Sequence, residues 1–103
     1  MARAGSHPGE HLALQLEAHH LSPTELARQM QVPTNRITAI LHGRRAVTGD
    51  TALRLGHFFG TNPRYWLNLQ SQYELSCAIE KSGSSVERLP TVASRAEVRN
   101  ATS

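Results

Sequence analysis

The stretch Leu21–Arg45, LSPTELARQMQVPTNRITAILHGRR, divides into two short helical segments around a tight corner, with its positive charge gathered towards one end. Ser22 is a capping residue, Pro23 takes the first helical position, and Glu25 stands three residues after the cap, the spacing of a reciprocal capping box. Leu26, Ala27 and Met30 recur on one face, and Ala27 is small enough for a second helix to cross closely over it. Val32 fills the corner. The next helix turns Ile37, Ile40 and Leu41 inward. At about 100° per residue its other side presents Asn35, Ala39 and His42, flanked by Arg36 and Thr38. That outward face carries the chemistry that reads base edges, so sequence-directed DNA binding is the first functional expectation.

Charge placement points the same way. The 103-residue chain has a net charge of only +3, yet residues 34–54 hold Arg36, Arg44, Arg45 and Arg54 against Asp50 alone, which equals the whole excess. Ten of the eleven basic residues are arginine, whose planar fork suits phosphate and guanine better than the point charge of lysine.

Outward from this core, His7, Pro8 and Gly9 precede a first amphipathic helix bearing Leu12, Leu14, Leu16 and Ala18. A fourth helix is expected from Thr48 or Asp50 through Ala52, Leu53, Leu55, Phe58 and Phe59, stopping at Gly60. Asn62 caps a fifth, with Pro63 at its first position. That helix is expected to run about five turns to Lys81, with Gly83, Ser84 and Ser85 ending it.

The fifth helix is apolar on two sides: Trp66, Leu69, Tyr73 and Cys77 form one stripe, and Leu67, Leu75, Ala78 and Ile79 lie roughly opposite. One small domain rarely buries both, so the second stripe predicts a twofold dimer. The alternative is a folded tail covering it. The expected division is a DNA-binding domain with a dimerising fifth helix over residues 1–81 and a flexible polar tail over 82–103. The tail has Pro90 and no sustained period, but Val86, Leu89, Val92 and Val98 are enough anchors to dock on a partner or on the chain's own helices.

Several classes fall away. No apolar run approaches the ~20 residues of a membrane span and the start has no signal core, which predicts a cytoplasmic protein. Cys77 is the single cysteine, so an internal disulfide and a cysteine zinc cluster are excluded; a buried helical thiol is expected. The six histidines include His7 and His11, and the adjacent His19 and His20, but no carboxylate or cysteine completes a ligand set, so no metal or other cofactor is expected. No nucleophile elbow, phosphate-binding glycine loop or carboxylate pair is present, and an enzyme is not expected.

The two-helix pattern resembles the helix-turn-helix of the Cro/repressor-like (XRE) family, except that Gln31 stands where that family usually has glycine. Across HPGE at His7–Glu10, the block Leu21–Thr61, and PRYWLNLQ ending at Gln70, the resemblance narrows to the HigA (VapI-like) antitoxin group. His20 and Gln31 lie in its less typical parts. The resemblance implies an all-α fold of five helices and a type II antitoxin that neutralises a HigB-like ribosome-dependent mRNA endonuclease and represses its own operon. On this reading Asn35 reads adenine, Arg36 guanine or a phosphate, and Thr38 and Ala39 thymine methyls, while Thr34, Arg44, Arg45 and Thr48 hold phosphates of a palindromic operator. A stand-alone helix-turn-helix regulator, or a protein-docking module on the same fold, is the alternative.

Overall fold

A computed structural model describes residues 5–95, and within them the chain forms five α-helices. They are α1 (Pro8–Ala18), α2 (Pro23–Met30), α3 (Thr34–Leu41), α4 (Gly49–Phe59) and α5 (Pro63–Glu87). Val98 and the rest of the tail beyond Arg95 lie outside the described residues.

The core is one cluster contributed by all five helices: Leu12 and Leu16 from α1, Leu26, Ala27 and Met30 from α2, Ile37 and Ile40 from α3, Ala52 and Leu55 from α4, and Trp66 from α5. Val47, just ahead of α4, joins it, and Leu21, Val32, Leu41, Phe58, Phe59 and Leu69 pack around it. Burying a full aliphatic side chain contributes roughly 1.5–3 kcal/mol, so this cluster, not helix propensity, holds the short helices. Leu14 and Ala18 turn to solvent because α1 buries only the stripe at i, i+4, and Leu53 of α4 is likewise exposed.

Each of the first four helices ends in a left-handed residue: His20 (φ 54°), Gln31 (φ 57°), Gly43 (φ 72°) and Gly60 (φ 70°). After α1 the Leu21 N–H returns to the Leu16 carbonyl and the His20 N–H to Glu17, the paired bonds of a Schellman cap. After α2 the Val32 N–H does the same to Ala27, which seats Val32 at the corner. A side chain at positive φ costs roughly 1 kcal/mol. Gln31→Gly is therefore expected to raise unfolding stability by about 1 kcal/mol in urea titrations, with DNA affinity unchanged.

Ser22 caps α2 as expected, accepting from the Glu25 N–H at 3.1 Å, but the Glu25 carboxylate pairs with Arg28 instead of turning back to the cap. Asn62 caps α5 through the Arg64 N–H at 2.9 Å.

The last helix differs from its sequence expectation. It does not stop at Lys81; Gly83, Ser84 and Ser85 lie inside it, and it continues to Glu87, where Arg88 and Leu89 close it with backbone bonds to Ser85 and Val86. Two small polar residues and a glycine weaken a helix by about 1 kcal/mol at most per position, too little to break one already propagated over five turns. Cys77 is exposed, not buried, because α5 outruns the domain that covers its first turns. Leu75 and Ile79 are 62% and 61% exposed, and Leu67 and Ala78 also face solvent.

Candidate nucleic-acid interface

α3 presents its polar side outward because Ile37 and Ile40 are fully buried against the core. Thr34 and Asn35 at its start are exposed, Thr38 and Ala39 are half-buried one turn on, and His42 closes the same face. The Thr38 hydroxyl donates weakly to the Asn35 backbone carbonyl at 3.4 Å, and the Asn35 side-chain amide, on an exposed residue, is available to a base edge. Thr34 and Asn35 occupy the N-terminal turn of α3, the part that a recognition helix inserts into a major groove about 12 Å wide.

Arg36 sits on the flank of this face. Its guanidinium donates to Asp50 Oδ2 at 2.8 Å, and Arg54 donates to the same oxygen from Nε at 3.1 Å. The hydrogen bond from Arg54 and then that from Arg36 hold the Asp50 carboxyl below the usual carboxylate range. Arg54 also donates to the Met30 carbonyl at the end of α2, at 2.7 Å.

Arg44, Arg45 and Thr48 lie exposed on the loop between α3 and α4. This loop is fastened from two sides. From α5, Gln70 reaches through the core, 7% exposed, and its Oε1 accepts the Val47 N–H at 2.9 Å. From the chain start, His7 hydrogen-bonds the Arg45 backbone and stacks edge-on against Tyr73 of α5, with ring centroids 4.9 Å apart. The His7 Nδ1 meanwhile accepts the Gly9 N–H at 2.9 Å and caps α1. Gly9 in turn brings the first turn of α1 onto the Ile40 carbonyl: a Cβ there would lie 2.1 Å from that oxygen.

The roles of His7, Gly9 and Gln70 were not read from the sequence. Two signals for them exist in it. A glycine inside a helix's first turn, where no left-handed backbone is required, marks a close backbone approach. A glutamine one turn after Trp66, on the stripe that faces the core, demands a buried partner.

Burial holds the His7 imidazole below the usual histidine value, against the opposing pull of the Arg45 backbone and Glu10. The neutral ring is the form that caps α1. A histidine with a depressed folded value stabilises fully above its unfolded value, about 6.5, and that contribution is lost as pH falls through this range. His7→Asn keeps a capping oxygen without the titration. Wild type is thus expected to lose urea-midpoint stability relative to this variant between pH 7.5 and pH 5.5.

Comparison with known proteins agrees with this geometry. The helix-turn-helix family model matches residues 12–66. The virulence-associated protein I of Dichelobacter nodosus is 42% identical over 73 residues, covering 70% of this chain and 68% of that protein. An addiction module antidote protein of the HigA family from Coxiella burnetii superposes with a TM-score of 0.82 at 49% identity, over 86% of this chain and 98% of that one. The Pseudomonas aeruginosa antitoxin HigA, solved with the higBA promoter, superposes with a TM-score of 0.81 at 33% identity, over 85% of this chain and 98% of that one. No helix among the described residues is long and apolar enough to cross a membrane. The fold and family are those of DNA-binding regulators and not of enzymes. Five helices, an exposed polar recognition face and these relatives together establish that the chain belongs to the helix-turn-helix family, in its HigA-like (virulence-associated protein I) antitoxin group.

Proposed function

We propose that this protein is a DNA-binding antitoxin that represses its own operon from the cytoplasm and neutralises a HigB-like toxin. The observation that carries the reading is α3 itself: its apolar side is buried, and Thr34, Asn35, Thr38 and Ala39 remain for base and phosphate contacts. Arg44, Arg45 and Thr48 flank it on a loop whose backbone is fixed by His7 and Gln70, as a phosphate clamp requires. Two family members solved on DNA, the HigA promoter complex and antitoxin GraA with its operator, support the same use of the fold here.

The active species in this reading is a twofold dimer through Leu67, Leu75, Ala78 and Ile79. A dimer places two recognition helices one DNA turn, about 34 Å, apart. All four side chains are exposed in the single chain, and Leu75, Ile79 and Val86 follow the four-and-seven-residue spacing of a helix–helix seam.

Two measurements test the two halves of the reading. Anisotropy titrations on the DNA upstream of the gene, at several salt concentrations, should show that Arg45→Ala lowers the log–log salt slope by about one unit and weakens all sequences alike. Co-expression with the small basic protein from the neighbouring reading frame should relieve the growth arrest that protein causes. Absence of such a frame, with operator binding intact, would favour a stand-alone regulator.

A further inference from the structure

Arg36 is the arginine of α3, yet it does not stand free over the groove-facing side. Its side chain is 23% exposed, Nη1 is committed to Asp50, and Nε is buried with no hydrogen-bond partner. Asp50, in the first turn of α4, is held in place by Arg54, and Arg54 is anchored on the Met30 carbonyl of α2. One line of bonds therefore runs through three helices and ends on the recognition helix. Exposed ion pairs contribute little to stability, so stabilising the fold does not account for this arrangement. What the line does is remove rotamer freedom. A loose guanidinium follows any phosphate; one fixed by its stem and by one nitrogen has only Nη2 and its remaining protons to offer, in one direction.

We propose that Asp50 is a specificity-determining positioning residue, which withholds Arg36 from nonspecific phosphate contact and aims its Nη2 donor at one base-pair edge per half-site. The proposal rests on the reading of α3 as the DNA-reading helix. It is distinct from the direct contact assigned to Arg36, since Asp50 acts through the guanidinium it holds.

The test is an anisotropy comparison of wild type, Asp50→Asn, Asp50→Glu, Arg36→Ala and the Asp50→Asn/Arg36→Ala pair on operator and scrambled duplexes, with circular dichroism confirming the fold. Freeing Arg36 adds a phosphate contact, so Asp50→Asn should bind scrambled DNA severalfold more tightly and steepen its salt slope by about one unit. The operator-to-scrambled ratio should fall about tenfold, with the lost discrimination confined to the base pair at which Arg36→Ala also loses it. The pair should be no less selective than Arg36→Ala alone, and Asp50→Glu, which keeps the carboxylate, should recover part of the ratio. Equal tightening on both duplexes with the ratio unchanged would overturn the proposal, because Asp50 would then act only by repelling phosphates. A wild type that fails to distinguish operator from scrambled DNA would overturn the underlying DNA reading, and the proposal with it.

Discussion

Gly9→Ala is expected to lower stability by about 3 kcal/mol, near the upper end for overpacking a close contact, and to lower the melting temperature by roughly 15 °C for a domain of this size. The added Cβ lands 2.1 Å from the Ile40 carbonyl oxygen, 3.0 Å from its carbon and 3.1 Å from His7 Nδ1. None of the three is the free end of a flexible side chain. The Ile40 oxygen already accepts the Gly43 N–H at 3.0 Å, His7 is engaged by Gly9 and Arg45, and Pro8 beside the substitution is fully buried. Relief requires α1 to lift off α3, which exposes Leu12 and Leu16. Gly49→Ala is the control: nothing lies within 4 Å of its Cβ, and its stability should be unchanged or slightly raised. Denaturant titration of the two variants decides the matter. A Gly9→Ala protein within about 0.5 kcal/mol of wild type would mean that α1 does not seat on the Ile40 carbonyl.

Leu75→Asp with Ile79→Asp is expected to leave the fold intact and abolish dimerisation. Both side chains are more than 60% exposed on the single chain, so their replacement removes no core contact. On a paired α5 the same changes place four carboxylates against each other in a seam that excludes water, a cost that such a dimer does not survive. Operator affinity should fall at least a hundredfold, because a second half-site engaged through the same molecule is favoured by effective concentration and typically adds a factor of 10²–10⁴. Binding to an isolated half-site should not change. Sedimentation velocity combined with operator titration separates the outcomes: a variant that remains dimeric and binds normally places the dimer contact elsewhere.

Much of this architecture is legible in the sequence because its helix ends are marked chemically. Ser22 and Asn62 are capping residues followed by proline, and Gly60 is a glycine at a helix exit; each stands where a boundary is observed. The outward polar face of α3 follows from the spacing of Ile37 and Ile40 alone. Where reading failed, local signals met non-local facts. Gly83, Ser84 and Ser85 look like a terminator, but a helix already docked over its first turns carries through them. Cys77 falls on the stripe begun by Trp66, yet it lies beyond the part of α5 that the domain covers. The ion-pair line from Met30 to Arg36 joins residues 24 and 14 positions apart, which no periodicity can pair. The Gln70–Val47 bond spans 23 positions.

The proposed function turns on whether the outward face of α3 reads a specific operator. The most direct measurement is the ratio of affinities for the DNA upstream of this gene and for a scrambled duplex at physiological salt, in wild type and in the Asn35→Ala/Arg36→Ala double variant. Wild type is predicted to prefer the operator by at least a thousandfold, and the double variant to bind both duplexes alike with a salt-sensitive affinity near the nonspecific level. Operator preference that survives intact in the double variant would mean that another surface of the protein reads the sequence.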